Sequence, residues 1–97
     1  MNGYSDFQTT TSSFVVTFRA NEQTDPEKVL QYALRRASEL RLQYGYRYFA
    51  IIDQKGEGFK EKKTPRLNYP SVRLVIECYL EPPLDREVID ATQLRFL

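Results

Sequence analysis

The sequence predicts an α+β domain in the order β-α-β-β-α. It is expected to form a split β-α-β mixed sheet of about three strands, with one long helix on one face and a short C-terminal helix. Three observations carry this expectation. Phe14 to Ala20 and Ser71 to Leu80 alternate apolar and polar residues, as half-buried strands do. Between them, residues 29 to 44 repeat apolar side chains at steps of three or four, the period of a helix. An apolar run from Tyr48 to Ile52 follows that helix directly.

The elements follow in order. Residues 1 to 13, "MNGYSDFQTTTSS", form a polar lead expected to be irregular, although "DFQTTT" is able to pair at a sheet edge. The domain proper spans 14 to 97. In the first strand Phe14, Val16 and Phe18 point one way, and Val15, Thr17 and Arg19 the other. A helix should start at Thr24, which stands in capping-box spacing with Glu27 and has Pro26 in the first turn. Its apolar stripe is Val29, Ala33, Ala37, Leu40 and Tyr44, widened by Leu30 and Leu34. Gly45 suits the left-handed position just past the helix end. "YRYFAIID", 46 to 53, reads as a strand covered on both faces. Residues 54 to 70 read as a loop whose five basic and two acidic residues leave it at +3. In the strand from Ser71, Val72, Leu74, Ile76, Cys78 and Leu80 share the core face. "EPPL" ends it, and Asp85 is placed to cap a last helix carrying Val88, Ile89, Thr92 and Phe96.

Composition narrows the function. The 97 residues suit one domain with one modest core. A net charge of +1 argues against a dedicated binder of nucleic acid or anionic membrane, which draws on a strong positive field. The chain has no histidine and one cysteine, so Cys/His zinc sites and the commonest general base are excluded. No apolar run approaches the roughly 18 residues of a spanning helix, and the polar first residues carry no signal peptide.

Candidate chemistry is sparse. The strand-to-helix junction "RANEQTDPE" lacks the glycines of a phosphate-cradling loop. "GEG" at 56 to 58 reads as a loop tip, and Asp53 as a turn residue with no second carboxylate at a useful spacing. Cys78 should be a buried, inert thiol. Tyr46, Tyr48 and Tyr79 either pack or form an aromatic patch. The one concentration of partner-contact residues is Lys55, Phe59, Lys60, Lys62, Lys63, Arg66 and Tyr69, where cations mix with aromatics. No catalytic, metal or cofactor site is expected, and no enzymatic activity.

"GYSD" at 3 to 6, "VTFRAN" at 16 to 21, "T..EKV" at 24 to 29 and "YALRRASELRLQYGYRYFAIID" at 32 to 53 resemble a family of small bacterial envelope lipoproteins. The family pattern runs GYS, VxFRGN, then T..E.V..Y.L.RAAELTL..GY..F.I.D. The likeness covers about the first half of the chain, and "DREVID" at 85 to 90 fits the end of the pattern. Ala20 stands where the pattern has glycine, and no lipobox cysteine is present. The resemblance implies a lipid-anchored domain on the periplasmic side of the envelope, with no assigned reaction. The function it implies is a non-enzymatic module that contacts an envelope protein or a cell-wall component. On this reading the membrane is reached only through an N-terminal lipid anchor outside this chain. The alternative is a small cytoplasmic module using the basic 54–70 loop on nucleic acid or another anion. An exposed sheet edge would also permit a homodimer.

Overall fold

The computed structural model describes residues 3–58 and 70–93. The described residues hold one α-helix and five strands: β1 (Tyr4–Gln8), β2 (Ser13–Arg19), α1 (Val29–Gln43), β3 (Tyr48–Glu57), β4 (Ser71–Tyr79) and β5 (Ile89–Asp90). The strands form one sheet in the order β1-β2-β4-β3-β5, and every neighbouring pair is antiparallel. β4 lies between β2 and β3, so those two run parallel to each other without touching.

This corrects the expected fold class. The sheet has five strands where about three were expected, it is antiparallel throughout and not mixed, and the expected C-terminal helix does not form among the described residues. Two local causes account for the extra strands. The polar lead pairs with β2 over Tyr4↔Phe18 to Gln8↔Phe14, and places Tyr4 and Asp6 on the core side. At the other edge the β-branched Ile89 pairs with Phe49, and Asp90 with Tyr48. The Asp90 carboxylate then accepts the Thr92 N–H (3.1 Å) and hydroxyl (2.7 Å), starting a single 3-10 turn at Ala91–Gln93 where an α-helix was expected. Phe96 lies outside the described residues.

The third strand is longer than expected. It continues past Asp53 to Glu57, with Gln54↔Leu74, Lys55↔Arg73 and Glu57↔Ser71 in register. A bulge between Ile51 and Asp53 leaves Ile52 unopposed and 44% exposed. The expected cover on both faces holds at Phe49 and Ala50, which point to opposite sides and are both buried, and is lost from Ile52 to Glu57, which are exposed.

The helix start is corrected as well. Thr24 is held in a closed loop: its hydroxyl accepts the Asn21 N–H and donates to Asn21 Oδ1, both at 3.0 Å. Asp25 takes over the cap, its Oδ1 accepting the Glu27 N–H at 3.0 Å, and Pro26–Lys28 form a 3-10 turn before α1. The helix ends in a Schellman arrangement. Tyr46 N–H donates to Arg41 O at 2.7 Å and Gly45 N–H to Leu42 O at 3.0 Å, with Gly45 at φ +85°.

The core lies between α1 and one sheet face. Val29, Ala33, Ala37 and Leu40 meet Phe14, Val16, Phe18, Phe49, Val72, Leu74, Ile76 and Cys78. Alanine at two successive contact turns lets the helix backbone approach the strands closely. Tyr4, Phe18 and Tyr32 form a tilted aromatic row, with centroids 4.9 and 5.0 Å apart, and Tyr44 packs on Phe14 at 4.8 Å. Leu80, expected on the core face, is 67% exposed because β4 ends at Tyr79.

Candidate functional site: a cationic groove on the open sheet face

Alternation along each strand sends the remaining side chains to the face away from α1. The registers arrange them in rows across the sheet. One row is Phe7, Val15, Val75 and Asp53; the next is Ser5, Thr17, Arg73 and Lys55; a third is Arg19, Ser71 and Glu57. Successive rows lie about 6.6–6.8 Å apart along the strands.

A concavity of about 490 Å³ opens on these rows, lined by Phe7, Val15, Thr17, Arg19, Lys55, Glu57, Ser71 and Arg73. Val15 and Ser71 are buried and lie at its base, whereas Phe7, Arg19, Lys55, Glu57 and Arg73 are exposed. Three cations and one carboxylate leave the lining at +2, twice the net charge of the whole chain.

The cations are poorly compensated. Lys55 and Arg73 stand directly opposite each other, a like-charge pairing that costs a few tenths of a kcal/mol in a sheet. Among the described residues, none of Arg19, Lys55 and Arg73 forms an ion pair. Glu77, on the same face, is four residues from Arg73, about 13 Å along the strand. Its carboxylate accepts hydrogen bonds from the Ser12 hydroxyl at 2.5 Å and from the Ser13 hydroxyl. Asp53 lies one row from Lys55, outside the groove lining.

The sequence-predicted contact residues divide unevenly. Lys55 is in the groove. Phe59, Lys60, Lys62, Lys63, Arg66 and Tyr69 lie outside the described residues. The described residues on either side are Gly58, just past the end of β3, and Pro70, whose carbonyl accepts the Ala20 N–H at 2.8 Å. Arg19 and Arg73 were missed because each was read alone, as the polar member of an alternating strand. A signal was present in the alternation itself, since a long cationic side chain recurs on the non-core face of both strands.

The tyrosines are split. Tyr46 packs against the core, whereas Tyr48 and Tyr79 oppose each other on the open face. Arg47 lies over the Tyr48 ring at 5.3 Å, and Arg86 Nη1 donates to the Tyr79 hydroxyl at 3.4 Å. Cys78 is 3% exposed, and burial, reinforced by the Glu77 charge, pushes its thiol up to about 11. Among the described residues no three potential metal ligands gather, and no helix is long and apolar enough to cross a membrane.

The described residues thus define a one-helix, five-strand α+β domain with a cationic groove on its open face. No family model, no curated protein and no solved structure matches this chain.

Proposed function

We propose that this chain is a non-enzymatic domain of the bacterial cell envelope, carried by a lipid-anchored protein, which contacts an envelope protein or a cell-wall component. The compartment rests on the resemblance of residues 3–53 to the lipoprotein pattern. The binding role rests on one observation: the open sheet face gathers Arg19, Lys55 and Arg73 around a groove, with Lys55 and Arg73 in direct opposition. A fold that tolerates such a pairing gains from an external anion that relieves it.

Two parts of the resemblance pattern support each other in space. Gly3, Tyr4 and Ser5 of the first part lie against Arg19, Phe18 and Thr17 of the second. A Cβ at Gly3 would stand 2.0 Å from the Arg19 carbonyl oxygen. The pattern therefore marks positions that dock β1 on β2, and of these Arg19 also lines the groove.

The test is fractionation of the native organism, with detection by an antibody raised against this chain. Recovery in the envelope fraction, released only by detergent, supports the reading. Recovery wholly in the soluble cytoplasm overturns the envelope assignment and favours a cytoplasmic module that uses the same cations on an anionic partner.

A further inference from the structure

We infer that the groove binds an extended acidic segment of another protein, laid along the strand direction with carboxylate side chains against Arg73, Lys55 and Arg19. The inference deepens the proposed function and rests on the reading of this chain as a binding module, not on its compartment.

Geometry points to an extended peptide. The groove comprises three consecutive rows: apolar (Phe7, Val15), cationic (Thr17, Arg73, Lys55) and mixed (Arg19, Ser71, Glu57). They are spaced about 6.6–6.8 Å apart, which is also the spacing of same-side residues in an extended chain. A segment with an apolar residue followed by acidic residues at alternate positions meets the rows one for one. Arg73 and Arg19 can each take a carboxylate bidentately, and the Thr17 and Ser71 hydroxyls can donate to the same oxygens. Phe7, 55% exposed beside buried Val15, supplies an apolar anchor at one end.

Charge and shape disfavour other anions. Glu57 sits among the cations and repels a continuous phosphate backbone, whereas a peptide can place an uncharged residue opposite it. The base of the groove, Val15 and Ser71, is recessed below exposed side chains, so a flat bilayer surface does not reach it.

The test is titration of the purified, isotope-labelled chain with a short synthetic peptide whose alternate positions read valine, glutamate, glutamate, with serine between them, followed by NMR and by fluorescence anisotropy. The same peptide with lysine in place of glutamate, single-stranded DNA and phosphatidylglycerol vesicles serve as comparisons. Saturable binding of the acidic peptide is expected, with shifts confined to Phe7, Val15, Thr17, Arg19, Lys55, Ser71 and Arg73. Binding should weaken steeply with salt, because exposed charges are screened beyond about 8 Å at physiological ionic strength. Arg73→Glu should weaken binding more than about tenfold, and Glu57→Gln should tighten it. The Glu57→Gln arm keeps the test decisive if Arg73→Glu misfolds. Equal binding of both charged peptides, shifts elsewhere on the surface, or binding of DNA or vesicles without the acidic peptide would each overturn the inference. Failure here leaves an envelope localisation standing, and a cytoplasmic localisation leaves acidic-peptide binding standing.

Discussion

The Asp6 carboxylate of edge strand β1 accepts the Arg36 Nε–H of α1 at 2.7 Å, joining two elements thirty residues apart in sequence. This hydrogen bond, ahead of the opposing effect of burial, raises the Arg36 pKa. Arg36 also reaches Glu39 at 3.3 Å, so it keeps a partner when Asp6 is lost. Asp6→Ala should therefore cost about 0.2–1 kcal/mol, the range of partly exposed pairs. Its effect should concentrate on β1, whose amides should exchange faster while those of β4 do not change. A double-mutant cycle with Arg36→Ala showing no coupling would mean that the pair contributes nothing to docking the strand.

Gly3 has no room for a side chain. Its carbonyl accepts the Arg19 N–H at 3.1 Å, and an added Cβ would stand 2.0 Å from the Arg19 carbonyl oxygen. Gly3→Ala must push β1 away from β2. The expected cost is about 1–3 kcal/mol, as for other overpacked sites. Chemical denaturation should show it, with loss of exchange protection at the Arg19 amide; an unchanged midpoint would refute it.

Cys78 makes stability pH-dependent in the alkaline range. Its folded-state pKa, about 11, lies above the ordinary thiol value of 9.0 because burial disfavours the thiolate. Below pH 9 the thiol is protonated in both folded and unfolded chains, so its contribution is constant. Between about pH 9 and 11 the unfolded chain alone ionises, and stability falls as pH rises, by up to about 1 kcal/mol per pH unit. Cys78→Ala should remove this part of the slope while leaving that of Tyr4, whose phenol burial also pushes up. In the native state at neutral pH, a thiol reagent should label Cys78 only after denaturant is added.

Lys55→Glu converts the opposed cations of β3 and β4 into an ion pair with Arg73. The free chain should gain about 0.2–1 kcal/mol from the cross-strand pair. Binding of an acidic peptide should weaken in the same variant. Thermal melting and peptide titration measured together check both effects. A variant that gains stability and keeps full affinity would remove Lys55 from the binding surface.

Local pattern was legible wherever an element's own residues set its character. The helix body, its glycine stop at Gly45 and the alternation of β2 and β4 all follow from spacing within a few residues. The cap shifted from Thr24 to Asp25 because Asn21 holds the Thr24 hydroxyl, a local competition that capping-box spacing does not reveal. The extended course of Gln54–Glu57 was obscured by Lys, Gly and Glu, residues with little strand preference of their own. They remain extended because Arg73, Val72 and Ser71 stand ready as ladder partners.

What the sequence by itself determined is the period of its elements: which face of α1 is apolar, which residues of β2 and β4 point inward, and where the helix stops. These depend on interactions spanning at most a few positions. Only the tertiary structure decided strand membership and the groove. A polar lead becomes β1 because β2 offers an unpaired edge and Arg36 offers Asp6 a partner. Ile89 and Asp90 become a strand because Phe49 and Tyr48 lie beside them. Arg19, Lys55 and Arg73, separated by up to 54 positions, come together because antiparallel pairing places equivalent rows side by side, and a hydrophobic pattern along one strand carries no information about its neighbour's register.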